Sequence, residues 1–393
     1  MRLQLTRTSA SMLAVLALST SARADGGKLA ERASAEVAAY SDSDHVAVLT
    51  PSIAGHVENP TAGWSLDGSY SADVISAASV DIVSTASRRW TEVRQAGSLR
   101  GAYQSGDWGG AVQASLSTEP DYFAYAAGAT VTRDFDQKNW SLLGGYGFGH
   151  DLIGRVGTPF SVYHHSFDHH LFTLGATTLL DKATVFSLTG DLRLEMGDSS
   201  KPYRYVPLFS AAVAPSIPAG ATLDIVTKSR LPLSVAESLP LTRQRLGITA
   251  MLGHRFETST ARILGSFYDD SWDVAAFTSD ARFLQDLAAR WSAGPHARYY
   301  VQSSASFWHL AYVPTMTEGV LEVPTYRTGD RELGPLMNLT GGATTRWALG
   351  PSENLSAWVL EANLDVIYTR FLDDLYITRR VAGLASLALE GSW

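Results

Sequence analysis

The chain has 393 residues, a formal charge of −8, 45% hydrophobic residues, 33 glycines and no cysteine. The lack of cysteine excludes disulfides, thiolate metal sites, a cysteine nucleophile and a lipidated N-terminal cysteine. The acidic balance argues against a nucleic-acid partner, which needs a basic footprint.

The N-terminus, "MRLQLTRTSASMLAVLALSTSARA", carries Arg2 and Arg7, a short apolar run Met12–Leu18, and Ala22-Arg23-Ala24. A basic stretch, a short hydrophobic stretch and a small-x-small site form the pattern of a secretory signal peptide, residues 1–24. Cleavage removes Arg2, Arg7 and Arg23 and no acid, so 28 basic residues face 39 acidic ones and the charge becomes −11. The hydrophobic stretch is too short to span a bilayer, and no later window offers the run of about 18 apolar residues that a membrane helix needs. An exported chain is then either soluble or a β-barrel.

Alternation decides between them. In "GGAVQASLSTE", Val112, Ala114 and Leu116 oppose Gln113, Ser115 and Ser117. In "ATVFSLTGDLRLEM", Phe186, Leu188, Leu192 and Leu194 oppose Ser187, Asp191, Arg193 and Glu195. "QRLGITAMLGHRF" and "SAWVLEANLDVIY" repeat the pattern. These runs extend for about 10 residues, the length of a tilted membrane strand, whereas soluble strands run about 5–6. No matching helices are present to cover the apolar faces, so lipid is the expected cover.

Short turns are predicted at "NPTAG", "SGDWG", "DQKN", "DK", "TS", "AARWSAG" and "GPSEN". Trp64, Trp108, Trp140, Trp291, Trp347, Trp358 and Trp393 lie beside them or at the terminus. That placement predicts an aromatic belt at one membrane interface, on the periplasmic side where short turns belong. Long extracellular loops are expected at 76–89, 155–168, 197–240 and 314–335. Counting back from Trp393 favours fourteen strands from about residue 59. Residues 25–58 then lie in the lumen or periplasm or begin the wall. Even numbering leaves sixteen strands as the alternative.

"YHHSFDHH" places His164, His165, Asp168, His169 and His170 together, and His164, Asp168, His169 and His170 are candidate metal ligands. The outward phase of the following strand, carried back, contains His170, Asp168 and His164, which cannot face hydrocarbon. The cluster is therefore expected at the outer rim, where solvated loop histidines are the plainer reading. Asp191, Arg193, Glu195, Arg245, Arg255, Arg262, Asp270, Glu361, Asp365 and Glu390 take the lumen phase. A lumen of both charge signs implies either water or a self-paired network. Residues 73–87 are a candidate inward-folding loop. The carboxylate pairs Asp269-Asp270, with Asp273, and Asp373-Asp374 sit at predicted outer strand ends, where turn structure explains them better than catalysis. No nucleophile-elbow, zinc-protease or phosphate-loop pattern occurs.

The chain ends "GLASLALEGSW", an alternating strand stopping on an aromatic. Leu387, Leu389 and Trp393 resemble the C-terminal sorting signal read by the barrel-assembly machinery. Taken in order, "DVISAASVDIVSTAS", "STEPDY", "KPYRY", "ESLPLTRQR", "YDDSWDV", "RYYVQSSASFW" and "YRTGDRELGP" resemble the outer-membrane family catalogued as domain of unknown function 3570. The resemblance runs from about Tyr40 to Trp393. It implies a bacterial outer-membrane barrel and carries no known activity.

The reading is therefore a transmembrane antiparallel barrel in the outer membrane, in contact with lipid, with no cofactor and no enzymatic role. A channel or transporter for small polar solutes is the first functional expectation. A closed scaffold that binds through its outer loops is the second, and a rim hydrolase is the last.

Overall fold

The computed structural model of the protein describes residues 29–77, 90–349 and 357–393. The expected signal peptide lies outside these residues, as does most of the 73–87 loop. Sixteen antiparallel strands close into one barrel, each pairing with its sequence neighbour and the last with the first. They are β1 (Ala30–Asp42), β2 (Val46–Asn59), β3 (Trp64–Ala77), β4 (Trp90–Ser105), β5 (Trp108–Glu119), β6 (Tyr122–Phe135), β7 (Trp140–Ile153) and β8 (His165–Leu179). The wall continues with β9 (Thr184–Gly197), β10 (Thr242–Arg255), β11 (Ser259–Asp270), β12 (Ala275–Ala288), β13 (Trp291–Gln302), β14 (Leu336–Ala348), β15 (Ala357–Phe371) and β16 (Arg379–Ser392).

Sixteen replaces the favoured count of fourteen. The 25–58 segment supplies a hairpin of the wall, with Val37 opposite Pro51 on one side and Leu387 on the other. Strand β1 is hard to read because its outward residues are mostly alanine (Ala33, Ala35 and Ala39), so the apolar contrast is weak. Closure is completed by reciprocal backbone bonds of 3.0 Å between Glu31 and Trp393.

Side chains alternate across the wall, as a pleated strand requires. The outward set includes exposed Val37, Ile53, Leu66, Leu99, Val112, Leu116, Val131, Leu142, Leu174, Leu188, Ile248, Ile263, Phe267, Leu364 and Leu387. An apolar exterior of this extent exceeds anything a soluble monomer exposes, and hydrocarbon is its natural solvent. Outward charges, such as Arg133, Asp168, Asp269 and Arg370, fall near strand ends.

The two ends of the barrel differ. At one, here the turn end, the described connections are short. Gly63 turns the chain at φ +78°, and a Cβ there would meet the Gln104 carbonyl at 2.2 Å, so only glycine fits. Trp64, Trp108, Trp140, Trp291, Trp347, Trp358 and Trp393 all lie at this end, and all are exposed.

The opposite loop end carries the long segments 198–241 and 303–335. The first contains the helix α1 (Leu223–Ser229) and a ribbon pairing Tyr205–Pro207 with Ser234–Ala236. The four described buried hydrophobic clusters all lie at this end; one of them, Tyr40 with Val46 and Ala382, closes the β16–β1–β2 seam.

Candidate functional site

The two long segments fold together into a cap. Val206 and Leu208 pack on Tyr312; Phe209 packs with Ile217, Ala221 and Val226; Leu239 packs with Trp272 and Trp308. Backbone bonds lock the segments: Phe209 N–H to Tyr312 O at 2.8 Å, and a reciprocal pair between Ser238 and Arg327 at 3.0 and 2.9 Å. The cap is also tied to other connections. Gly220 N–H donates to Asp374 O, Tyr376 N–H to Ala221 O, and Ser306 N–H to Trp272 O. Arg331 forms a 2.7 Å ion pair with Asp44 of the β1–β2 turn, with side chains 5% and 6% exposed. These anchors run from the β9–β10 connection round to the β1–β2 turn, about half the rim by strand order. On the other side, Tyr203 Oη accepts from Val156 N–H.

A buried polar clamp sits inside the cap. Glu237, its side chain fully buried, accepts from Arg204 Nη1 at 3.1 Å, Thr328 Oγ1 at 2.5 Å and Lys201 N–H at 2.8 Å. Arg204 also donates to Asp330 Oδ2 at 2.7 Å. Burial alone pushes the Asp330 carboxyl up, but the Arg204 guanidinium and the Glu332 N–H outweigh it and hold it below the ordinary aspartate range. Burial, reinforced by the neighbouring Asp330 charge, pushes Glu332 the other way. Burial likewise raises Tyr312, whose Oη accepts from Thr328 N–H at 3.0 Å and donates to Phe307 O at 2.8 Å.

Five stretches that carry the family resemblance meet here: 201–205, 237–245, 268–274, 298–308 and 326–335. They supply Arg204, Glu237, Trp272, Trp308 and Arg331. They also supply the network on the wall beneath the cap. There Asp270 accepts from Arg243 Nε at 2.8 Å, Tyr268 Oη at 2.5 Å, and the N–H groups of Trp272 and Val274 at 2.8 and 3.1 Å. Arg245 bridges Tyr268 Oη at 2.8 Å and Glu195 at 2.9 Å, and Arg193 adds a 3.0 Å contact to Glu195. A carboxylate saturated with donors is a structural anchor rather than a free base. Asp269, the other half of that candidate pair, takes the outward phase.

The remaining lumen candidates share the inward phase, opposite the exposed leucines. Asp191 accepts from Thr173 Oγ1 at 2.6 Å, and Arg255 pairs with Asp286 at 2.5 Å. Glu361 pairs with Arg346 at 3.0 Å, and Asp365 with His296 Nε2 at 2.7 Å across the space left by Gly342. Glu390 lies on the same face near the turn end. Exposure varies along this inner face: Arg100 and Arg346 side chains are 47% exposed, Arg282 40% and Glu361 36%, whereas Asp365 is 16% exposed.

The candidate ligands His164, Asp168, His169 and His170 are not brought together as a metal site. Residues 165–170 lie within strand β8, so alternation sends Asp168 and His170 outward and His169 inward. Asp168 pairs with His150 Nδ1 at 2.6 Å, and His170 with Tyr146 Oη at 2.8 Å. The His169 ring lies over Gly149, and His164 Nδ1 meets Phe160 O at 2.6 Å. Among the described residues, the grouping with metal-ligand spacing is instead Glu92, Glu119 and Asp121 at the loop-end rim, with donor atoms within 4.8 Å of one another. It draws on two strands and a turn, so no local spacing in the sequence marks it.

The class defined is a sixteen-stranded barrel with an apolar exterior, a charged inner face and a folded cap on one mouth. The sequence profile described as "Protein of unknown function (DUF3570)" matches residues 77–362, and the chain belongs to that family. No curated protein matches the sequence. Solved structures with some likeness include a bacterial polysaccharide outer membrane secretin (9% identity, TM-score 0.46, covering 93% of this chain and 99% of that one). OprD of Pseudomonas aeruginosa is 8% identical, with TM-score 0.42 and coverage of 94% and 97%. The siderophore receptor PirA of Acinetobacter baumannii is 8% identical, with TM-score 0.40, covering 88% of this chain; the chain spans 53% of that receptor's length. Likeness at this level concerns barrel architecture alone.

Proposed function

We propose that the protein is a bacterial outer-membrane channel or transporter for small polar solutes, entered through a capped outer mouth. The observation that carries this reading is the lumen wall. Arg100, Arg282, Arg346 and Glu361 keep 36–47% of their side-chain surface, while the described hydrophobic clusters all sit at the loop end. A wall of charges around open space favours water and polar solutes. The tryptophan end suits the periplasmic interface, where an indole rests between hydrocarbon and headgroups, and that supports a cap on the outer side. Leu387, Leu389 and Trp393, outward on the closing strand, suit recognition by the assembly machinery.

Single-channel recording of the full mature chain in planar bilayers tests the reading. Steady ion conductance is expected, with selectivity shifted toward anions by Glu361→Lys, which reverses a half-exposed lumen charge. A correctly folded barrel that never conducts would overturn it. The extent of the cap favours a second reading, a closed barrel whose outer surface is a binding platform, and that reading predicts silence in the same recording.

A further inference from the structure

Arginines on the inner wall are consistently paired. Arg94 has Asp73 at 3.6 Å, Arg100 has Asp67 at 3.5 Å, Arg243 has Asp270, Arg245 has Glu195 and Arg346 has Glu361. Two inward arginines break the rule. Among the described residues, no carboxylate lies within 4.0 Å of Arg262 or Arg298, although every other inward arginine of the wall has one.

Their positions make the exception sharper. Arg262 on β11 stands directly opposite Arg282 on β12, and like charges directly opposed across a strand pair are destabilising. Arg298 on β13 is opposite Asp280, one step diagonally from Arg282 and within reach of a long side chain. The carboxylates nearby are already committed. Asp280 accepts from Arg282 Nε at 3.1 Å, and Asp365 is held by His296 at 2.7 Å. Gly253 occupies the inward position beside Arg262 on β10, so no side chain crowds it from that strand. Arg298 itself is exposed to the lumen. Three arginines thus occupy neighbouring inward positions, and the one carboxylate among them, Asp280, is bonded to Arg282.

We infer that Arg262, Arg282 and Arg298 form an oxyanion-binding step in the mid-lumen, taking a small solute that bears a phosphate or carboxylate group. This rests on the channel reading and narrows its solute class. A planar guanidinium matches both oxyanions in bidentate fashion, and a bound anion relieves the Arg262–Arg282 repulsion. The acidic balance of the chain does not oppose this, since binding is decided by the nearest charges when salt screens those beyond about 10 Å.

The test is calorimetry on the full mature barrel folded in detergent, titrated separately with inorganic phosphate and with succinate. Saturable binding of either anion is expected, and which of the two binds separates a phosphate site from a carboxylate site. The double variant Arg262→Gln, Arg298→Gln should weaken binding by about tenfold or more, while Asp280→Asn should tighten it. Arg255→Gln, at the turn-end rim, should leave it unchanged. Heat-dependent gel mobility reports that each variant is folded. No binding of either anion by the native chain, or equal binding by the folded double variant, overturns the proposal. Because conduction is read separately, a barrel that conducts without binding sinks this site alone, and one that binds without conducting sinks the channel.

Discussion

The two ends of the barrel solve different problems with different residues. The turn end has tight connections, no described hydrophobic core, and a ring of outward tryptophans at the exposed margin of the wall. The loop end has packed clusters, a fully buried glutamate and an ion pair sealed from water. The first end answers to a lipid interface, where amphipathic rings suffice. The second behaves like a small soluble domain seated on a membrane barrel, stabilised by the burial and satisfied polar networks that soluble proteins use. Damage to either end should therefore have different consequences.

Glu237→Ala should have the largest effect on the cap. It leaves the half-buried Arg204 guanidinium with half its clamp missing, at a cost of up to about 3 kcal/mol. The loss should be confined to the cap. Limited proteolysis should cleave within 198–241 and 303–335 while the barrel keeps its heat-dependent gel mobility. Collapse of the whole barrel would show that cap and wall fold as one unit. Ile248→Arg strikes the wall instead, placing a charge on the outward face near mid-strand. A destabilisation of about 2–4 kcal/mol is expected in lipid unfolding titrations, with the cap's cleavage pattern unaltered once the barrel is folded.

Acid should also divide the two regions. Asp330 titrates below its ordinary value because Arg204 outweighs the burial that opposes ionisation. The stability it gives the cap is present above the unfolded aspartate value, near pH 3.9, and is lost as pH falls through its lower folded value. Hydrogen exchange should accordingly show cap amides opening in acid, below about pH 4, before the wall amides do. Glu332, shifted upward, has the opposite sense and offsets part of that loss. The smallest effect is expected at the aromatic belt. Arg133 lies 4.8 Å from the Trp108 ring centroid, and Arg133→Gln should cost roughly 0.5–1 kcal/mol in the same lipid titration.

The wall was largely legible in the sequence because alternation depends on each strand alone. Strands β5, β9, β10, β15 and β16 declare their faces through leucine set against charge, and the tryptophans mark one end. Strand β1 escapes because alanine on its outward face gives little contrast. Its neighbour "HVAVLTPSIAGHV" alternates plainly, and adding it to the fourteen gives an odd total, which is the signal that a strand was missing. Contacts that depend on register were not legible. Arg262 and Arg282 are twenty positions apart, and only the pairing of β11 with β12 makes them neighbours. Crowding in sequence does not mean contact either, since alternation separates His169 from Asp168 and His170. The cap reads as long polar loops because its core residues, such as Phe209, Val226 and Tyr312, are scattered without a period. Their packing exists only once two distant segments meet.

The most direct measurement is paired single-channel recording of the native chain and Glu237→Ala, both verified as folded barrels. A hollow lumen beneath a folded cap predicts a steady small conductance for the native chain and a larger or more frequently open one when the cap is loosened. Silence from both would contradict a water-filled lumen, and identical conductance would contradict the cap's control of the mouth.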